Sequence, residues 1–81
     1  MKRHVEGFPR ITVDPAQMGG KPCIRGIRVT VGMILGELSA GTTIEELLAA
    51  YPYIERDDVF EALRFGSWLA SYREVELAEA G

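Results

Sequence analysis

The hydrophobic period of this chain changes once, from two to 3.6, within a few residues of Val29. That change restricts the fold to a short β element followed by helices. Before it, Arg10 to Val13 alternates polar and apolar residues with β-branched side chains, which predicts a strand closed by Asp14-Pro15. A second strand pair is expected over Pro22 to Ile24 and Ile27 to Val31, bending at Arg25-Gly26. Glycine at that bend can take the positive φ that tight hairpin turns require. Pro22 confines its strand to an edge or a strand start.

After the change, Val31, Ile34, Leu35 and Leu38 recur at helical spacing, with Thr30 as N-cap and Gly41 past the end. Ile44, Leu47, Leu48 and Tyr51 repeat that spacing, and Thr43 with Glu46 forms a capping-box signature. Tyr51-Pro52 stops this second helix. A third helix should begin near Arg56, with Glu55 at or beside the cap and Asp57 and Asp58 in a first turn whose dipole favours acids. Its expected inward stripe is Val59, Ala62, Leu63, Gly66, Leu69 and Ala70. The chain then divides into an arm (1–9), one domain (10–75) and a tail (76–81). The domain carries a β element over 10–30 and helices over about 31–39, 44–50 and 56–75. The expected class is mainly α: a three-helix homeodomain-like or helix-turn-helix bundle preceded by a short strand and a β-hairpin. A plain three-helix bundle without a nucleic-acid role fits the same pattern.

The ten residues GGKPCIRGIR (19–28) hold three glycines, a proline, three cations and the single cysteine. They read either as an anion-binding loop or as a hairpin. A phosphate loop needs four residues between its glycines, a Ser or Thr after the lysine, and a helix. Here Pro22 follows Lys21, so the hairpin reading holds, with Gly19, Gly20, Pro22 and Gly26 as its structural residues. Cys23 reads as a small apolar filler. One Cys and one His (His4) make no metal set. Asp57, Asp58 and Glu61 are expected to form a solvated acidic face. No catalytic, cofactor or metal site is expected, and the chain reads as a non-enzyme.

Charge is divided along the sequence. Lys2, Arg3, Arg10, Lys21, Arg25 and Arg28 face only Glu6 and Asp14 in residues 1–28, whereas residues 29–81 hold three arginines against ten acids. Lys21, Arg25 and Arg28 are therefore the candidate contacts for nucleic acid or another anionic partner. The acidic third helix is a poor groove reader, since DNA affinity rests on cations. That helix carries a second stripe, Phe65, Trp68 and Tyr72, lying well away from its expected inward face. Exposed, these rings make an apolar patch of a kind that marks contacts, here with a second copy or another protein. An 81-residue chain buries only about 60% of its unfolded surface, which also favours an oligomer. The sequence shows no membrane-length apolar run, no signal-like N-terminus and one cysteine, so a cytoplasmic protein is expected.

Over about residues 10 to 70 the chain resembles domain-of-unknown-function family 433. The resemblance rests on the strand Arg10 to Asp14, on GGKPCIRGIRV (Gly19 to Val29), on the Gly41 and Thr43 helix boundary, and on YPYIERDDVFEAL (Tyr51 to Leu63). Ile27, Thr30 and Glu55 depart from the family's usual Thr, Pro and Thr or Ser at those positions. The resemblance implies a homeodomain-like fold in small prokaryotic proteins. It also implies an antitoxin of a type II toxin–antitoxin pair, encoded beside a PIN-like ribonuclease and commonly binding its own operator as a dimer. It carries over no catalytic residue. Beside it stand a stand-alone helix-turn-helix DNA-binding regulator and a structural interaction module.

Overall fold

Strands occupy the region expected to be an arm. In the computed structural model, which describes residues 2–72, β1 (Arg3–Val5) pairs antiparallel with β2 (Phe8–Val13), and β2 pairs antiparallel with β3 (Cys23–Ile24). Gly7, at φ 86°, turns the chain between β1 and β2, and a bulge between His4 and Val5 shifts the register. The expected alternation of β2 is broken, because Ile11 and Thr12 are adjacent and both are buried. Ile11 enters the core. Thr12 accepts a hydrogen bond from the Gly26 amide at 2.8 Å and so ties β2 to the next turn.

The bend falls at Arg25-Gly26, where the Ile27 amide donates to the Ile24 carbonyl at 2.8 Å. Both central residues have positive φ, 42° for Arg25 and 74° for Gly26, as a primed turn demands. The expected strand over Ile27–Val31 shrinks to one bridge, Cys23 to Thr30, because residues 25–28 are used up in the turn. Gly19 and Gly20 lie in a 3-10 turn, Met18–Gly20. There the Gly20 and Lys21 amides bond the Gln17 and Met18 carbonyls, so they are not aimed at an anion.

Three helices follow: α1 (Val31–Ser39), α2 (Ile44–Ala50) and α3 (Arg56–Tyr72). Thr30 accepts from the Met33 amide and caps α1, and Thr43 and Glu46 close a reciprocal capping box on α2. The expected continuation of α3 to residue 75 and the tail 76–81 lie outside the described residues.

The mainly α, helix-turn-helix reading is corrected here to an α+β fold. The three-stranded sheet is an integral part of the core, supplying Phe8, Ile11 and Ile24 against Val31, Ile34, Val59, Ala62 and Phe65 of the helices. Each such large side chain contributes about 1.5–3 kcal/mol on burial, so the three from the sheet outweigh the single fully buried Leu47 of α2. The sheet packs directly on α3, which is thereby a central support and not a free reading helix. No helix among the described residues is long and apolar enough to cross a membrane.

Candidate binding surface

The sheet meets α3 through charges as well as through apolar groups. Asp58 is fully buried, and its carboxylate meets two guanidinium groups carried by the β element. Arg25 places Nη2 2.9 Å from Oδ2 and Nε 3.0 Å from Oδ1, and Arg10 places Nη1 2.9 Å from Oδ1. The Glu55 amide donates to Oδ2 at 2.8 Å, so Asp58 also caps its own helix. Burial pushes the Asp58 carboxyl up, but the hydrogen bonds from Arg25, the Glu55 amide and Arg10 outweigh it and leave it below the ordinary carboxylate range. The Arg10 and Arg25 guanidiniums are held charged by the same contacts, Glu55 being the first partner of Arg10 and Asp58 that of Arg25.

Glu61 extends this junction. It accepts from the Arg10 backbone amide and, at 2.9 Å, from Arg64. Glu55 bonds Arg10 at 2.6 Å and does not cap α3 with its side chain. Arg25 donates further to the Tyr53 carbonyl at 2.8 Å, pinning the loop that enters α3. The expected solvated acidic face is therefore overturned: Asp57 is exposed, but Asp58 and Glu61 are buried and paired. The positive φ of Arg25 is a conformation that side chains other than glycine adopt at a cost of about 1–2 kcal/mol. Its ion pair with Asp58 holds it there.

The cations expected to face a partner part company. Arg25 is committed to the buried Asp58 carboxylate although its side chain is 36% exposed, whereas Lys21 and Arg28 are exposed and lie outside that junction. Lys21 and Pro22 border an open depression of about 360 Å³ that Thr30, Gly32 and Met33 complete. Lys2 lies against Gly26, its Nζ 2.7 Å from where a Cβ would stand. Burial pushes the Cys23 thiol up, consistent with a filler and not a nucleophile. No group of three or more His, Cys, Asp and Glu among the described residues is placed to hold a metal ion.

The aromatic stripe is also divided. Phe65 is buried, edge-on to Phe8 at 5.2 Å, so its expected interface role is corrected to a core role. The physical reason is that β1–β2 folds back over it. Trp68 touches Phe8 at 5.7 Å but stays 41% exposed, and Tyr72, its ring 5.2 Å from that of Trp68, is 74% exposed. Leu63 and Leu69, expected to face inward, are 39% and 40% exposed. The helix is turned so that Asp58, Glu61, Ala62 and Phe65 face in. Exposed apolar groups thus occur twice on α3, Phe60 with Leu63 turned away from the inward set, and Trp68, Leu69 and Tyr72 in line with that set, seven residues on from Glu61, Ala62 and Phe65. At 100° per residue the two groups are about 150° apart.

The profile of a family described as "Protein of unknown function (DUF433)" matches residues 11–66. The uncharacterized protein y4eO of Sinorhizobium fredii is 33% identical over 49 residues, which cover 60% of this chain and 22% of that protein. A crystal structure of a DUF433 member from Anabaena variabilis superimposes with a TM-score of 0.73 at 27% identity, covering 76% of this chain and 61% of that one. The chain therefore spans less than two thirds of the length of either relative.

Proposed function

This chain belongs to the DUF433 family, and from that premise we propose that it acts as the antitoxin of a type II toxin–antitoxin pair, binding and neutralising a PIN-like ribonuclease. The observation that carries a binding role is the way charge and apolar surface are separated on α3. The carboxylates that could do acid–base chemistry are used within the fold, Asp58 by Arg10 and Arg25 and Glu61 by Arg64. Past its first turn α3 exposes mainly large apolar side chains, Phe60, Leu63, Trp68, Leu69 and Tyr72, with Arg64 as the one charged residue among them. Apolar surface of that kind is suited to a protein partner. The identity of that partner as a nuclease comes from the family resemblance.

Autoregulation through operator DNA has fewer cations to draw on than the charge division of the sequence suggests. With Arg25 committed to Asp58, it falls to Lys21 and Arg28, with Lys2 and Arg3 on the same β element. Glu6 and Asp14 offset part of this charge, so DNA binding is expected to be weak and steeply salt-dependent. A stand-alone DNA-binding regulator is disfavoured for the same reason. An interaction module with a partner other than a nuclease uses the same apolar flanks.

Co-expression with the product of the adjacent reading frame tests the proposal. A co-purifying complex and relief of growth arrest are expected. Toxicity that the chain does not relieve, with no complex formed, would overturn it.

A further inference from the structure

We propose that the end of α3 is a two-fold interface with a second copy of this chain, centred on Trp68. This goes beyond the antitoxin reading and does not rest on it. Arg64, Trp68 and Tyr72 stand four residues apart on α3 and form one continuous ridge. Their contacts run along it: the Arg64 guanidinium lies 5.4 Å from the Phe8 ring, Phe8 lies 5.7 Å from Trp68, and Trp68 lies 5.2 Å from Tyr72. Leu69 borders the ridge.

The order of groups along that ridge identifies the occupant. A two-fold axis at Trp68 sets position 64 of one copy opposite position 72 of the other. It therefore places a guanidinium against a tyrosine ring twice, and Trp68 against Trp68. Arginine over an aromatic face is attractive, and the symmetric contact is self-complementary. Residues 65–72 carry no charge, so no like charges meet at the centre. Arg64 binds Glu61 through Nη2 alone and its side chain is 61% exposed, which leaves donors and one face available. Beside the ridge, Ser71 donates its hydroxyl to the Ser67 carbonyl at 2.9 Å, so that flank is small and internally satisfied.

The area sets the strength. From their exposures, Trp68, Leu69 and Tyr72 offer roughly 300–400 Å² per copy. The pair would bury roughly 600–800 Å² through these groups, below the ~1,200 Å² of a standard stable interface. The dimer is therefore weak and concentration-dependent. It leaves Phe60 and Leu63, on the other flank, open to a different partner.

Sedimentation velocity of the full chain from about 1 μM to about 500 μM tests the proposal. Trp68 is the chain's one tryptophan, so its emission reports on the interface directly. Sedimentation coefficient and blue shift are expected to rise together with concentration. Two substitutions at the exposed Tyr72 supply a sign test. Tyr72→Lys sets an ammonium against the other copy's guanidinium and should weaken association at least about tenfold. Tyr72→Glu sets a carboxylate there and should stay within about threefold of the parent. Circular dichroism on both variants checks that the fold persists. A monomer across the whole range overturns the proposal, as does equal weakening by Lys and Glu. Dissociation by Leu63→Lys but not by Tyr72→Lys overturns it too. None of these outcomes depends on a toxin, so failure here is distinct from failure of the antitoxin reading.

Discussion

The two ends of α3 are built on different principles. Its first ten residues are held by charge and shape together: Asp58 and Glu61 bind Arg10, Arg25 and Arg64, while Val59, Ala62 and Phe65 fill the core. Its last five described residues carry the helix out of the core: Trp68 still rests on Phe8 at 5.7 Å, and every residue from Leu69 to Tyr72 is exposed. The first end specifies how helix and sheet fit. The second places little in the core beyond the contact of Trp68 with Phe8 and so is where recognition can be placed. An ion pair suits the first role because only one rotation of α3 brings Asp58 to both arginines.

The largest test of this contrast sets Phe65 against Tyr72, one stripe by sequence but two environments by structure. Phe65→Ala should destabilise the protein by about 3–5 kcal/mol, as for other buried Phe truncations. Tyr72→Ala should change stability by less than about 0.5 kcal/mol, as expected at an exposed site. Urea denaturation at low protein concentration measures both. Similar losses at the two sites would break the comparison.

Asp58→Ala comes next. Removing one partner of a buried pair typically costs about 3–5 kcal/mol, because the remaining charge is left uncompensated. Arg10 and Arg25 are each about one-third exposed and can recover some hydration, so the low end, about 3 kcal/mol, is expected. Loss of less than about 1 kcal/mol would mean that packing alone sets the helix rotation.

The same junction gives stability a pH dependence. The folded-state pKa of Asp58 is lowered, so its contribution is fully present above the unfolded value of about 3.9. It is lost as pH falls below that value and through the lower folded pKa. Glu45, held down by Arg56, and Glu46, held down by the Thr43 amide, act in the same direction with smaller, exposed contributions. The urea midpoint should therefore fall steeply below about pH 4. In Asp58→Asn that slope should flatten. An unchanged slope in the variant would assign acid sensitivity to other carboxylates.

The helices were legible because their ends carry local chemistry. Thr43 with Glu46 and Thr30 before an apolar run act within one turn, so neighbours in sequence suffice to find them. The first strand was not legible, since Arg3 and His4 read as a charged arm and pair only because β2 lies beside them. The junction does carry a signal in the sequence. Asp58, Glu61, Ala62 and Phe65 stand at i, i+3, i+4 and i+7, a complete inward set with two acids in it. Taking only the apolar positions turned the predicted stripe towards Leu63 and Leu69. What the sequence could not reveal was that Arg10 and Arg25, 48 and 33 residues away, arrive at the same carboxylate.

Gly66 stands at the border between the two ends, where α3 packs on α1, and gives the smallest expected effect. A Cβ there would lie 2.9 Å from Leu35 Cδ1, closer than such contacts allow. The crowding atom is the end of a half-buried, flexible side chain, so a rotamer change can relieve it. Against that strain, replacing a helical glycine with alanine gains about 0.8–1.0 kcal/mol of helix propensity. Gly66→Ala should therefore alter stability by less than about 1 kcal/mol in either direction. A loss above about 2 kcal/mol would show that Leu35 cannot yield and that the locked end extends to this residue. A clear gain would instead place the border of the rigid end before Gly66, with the α1 contact already loose.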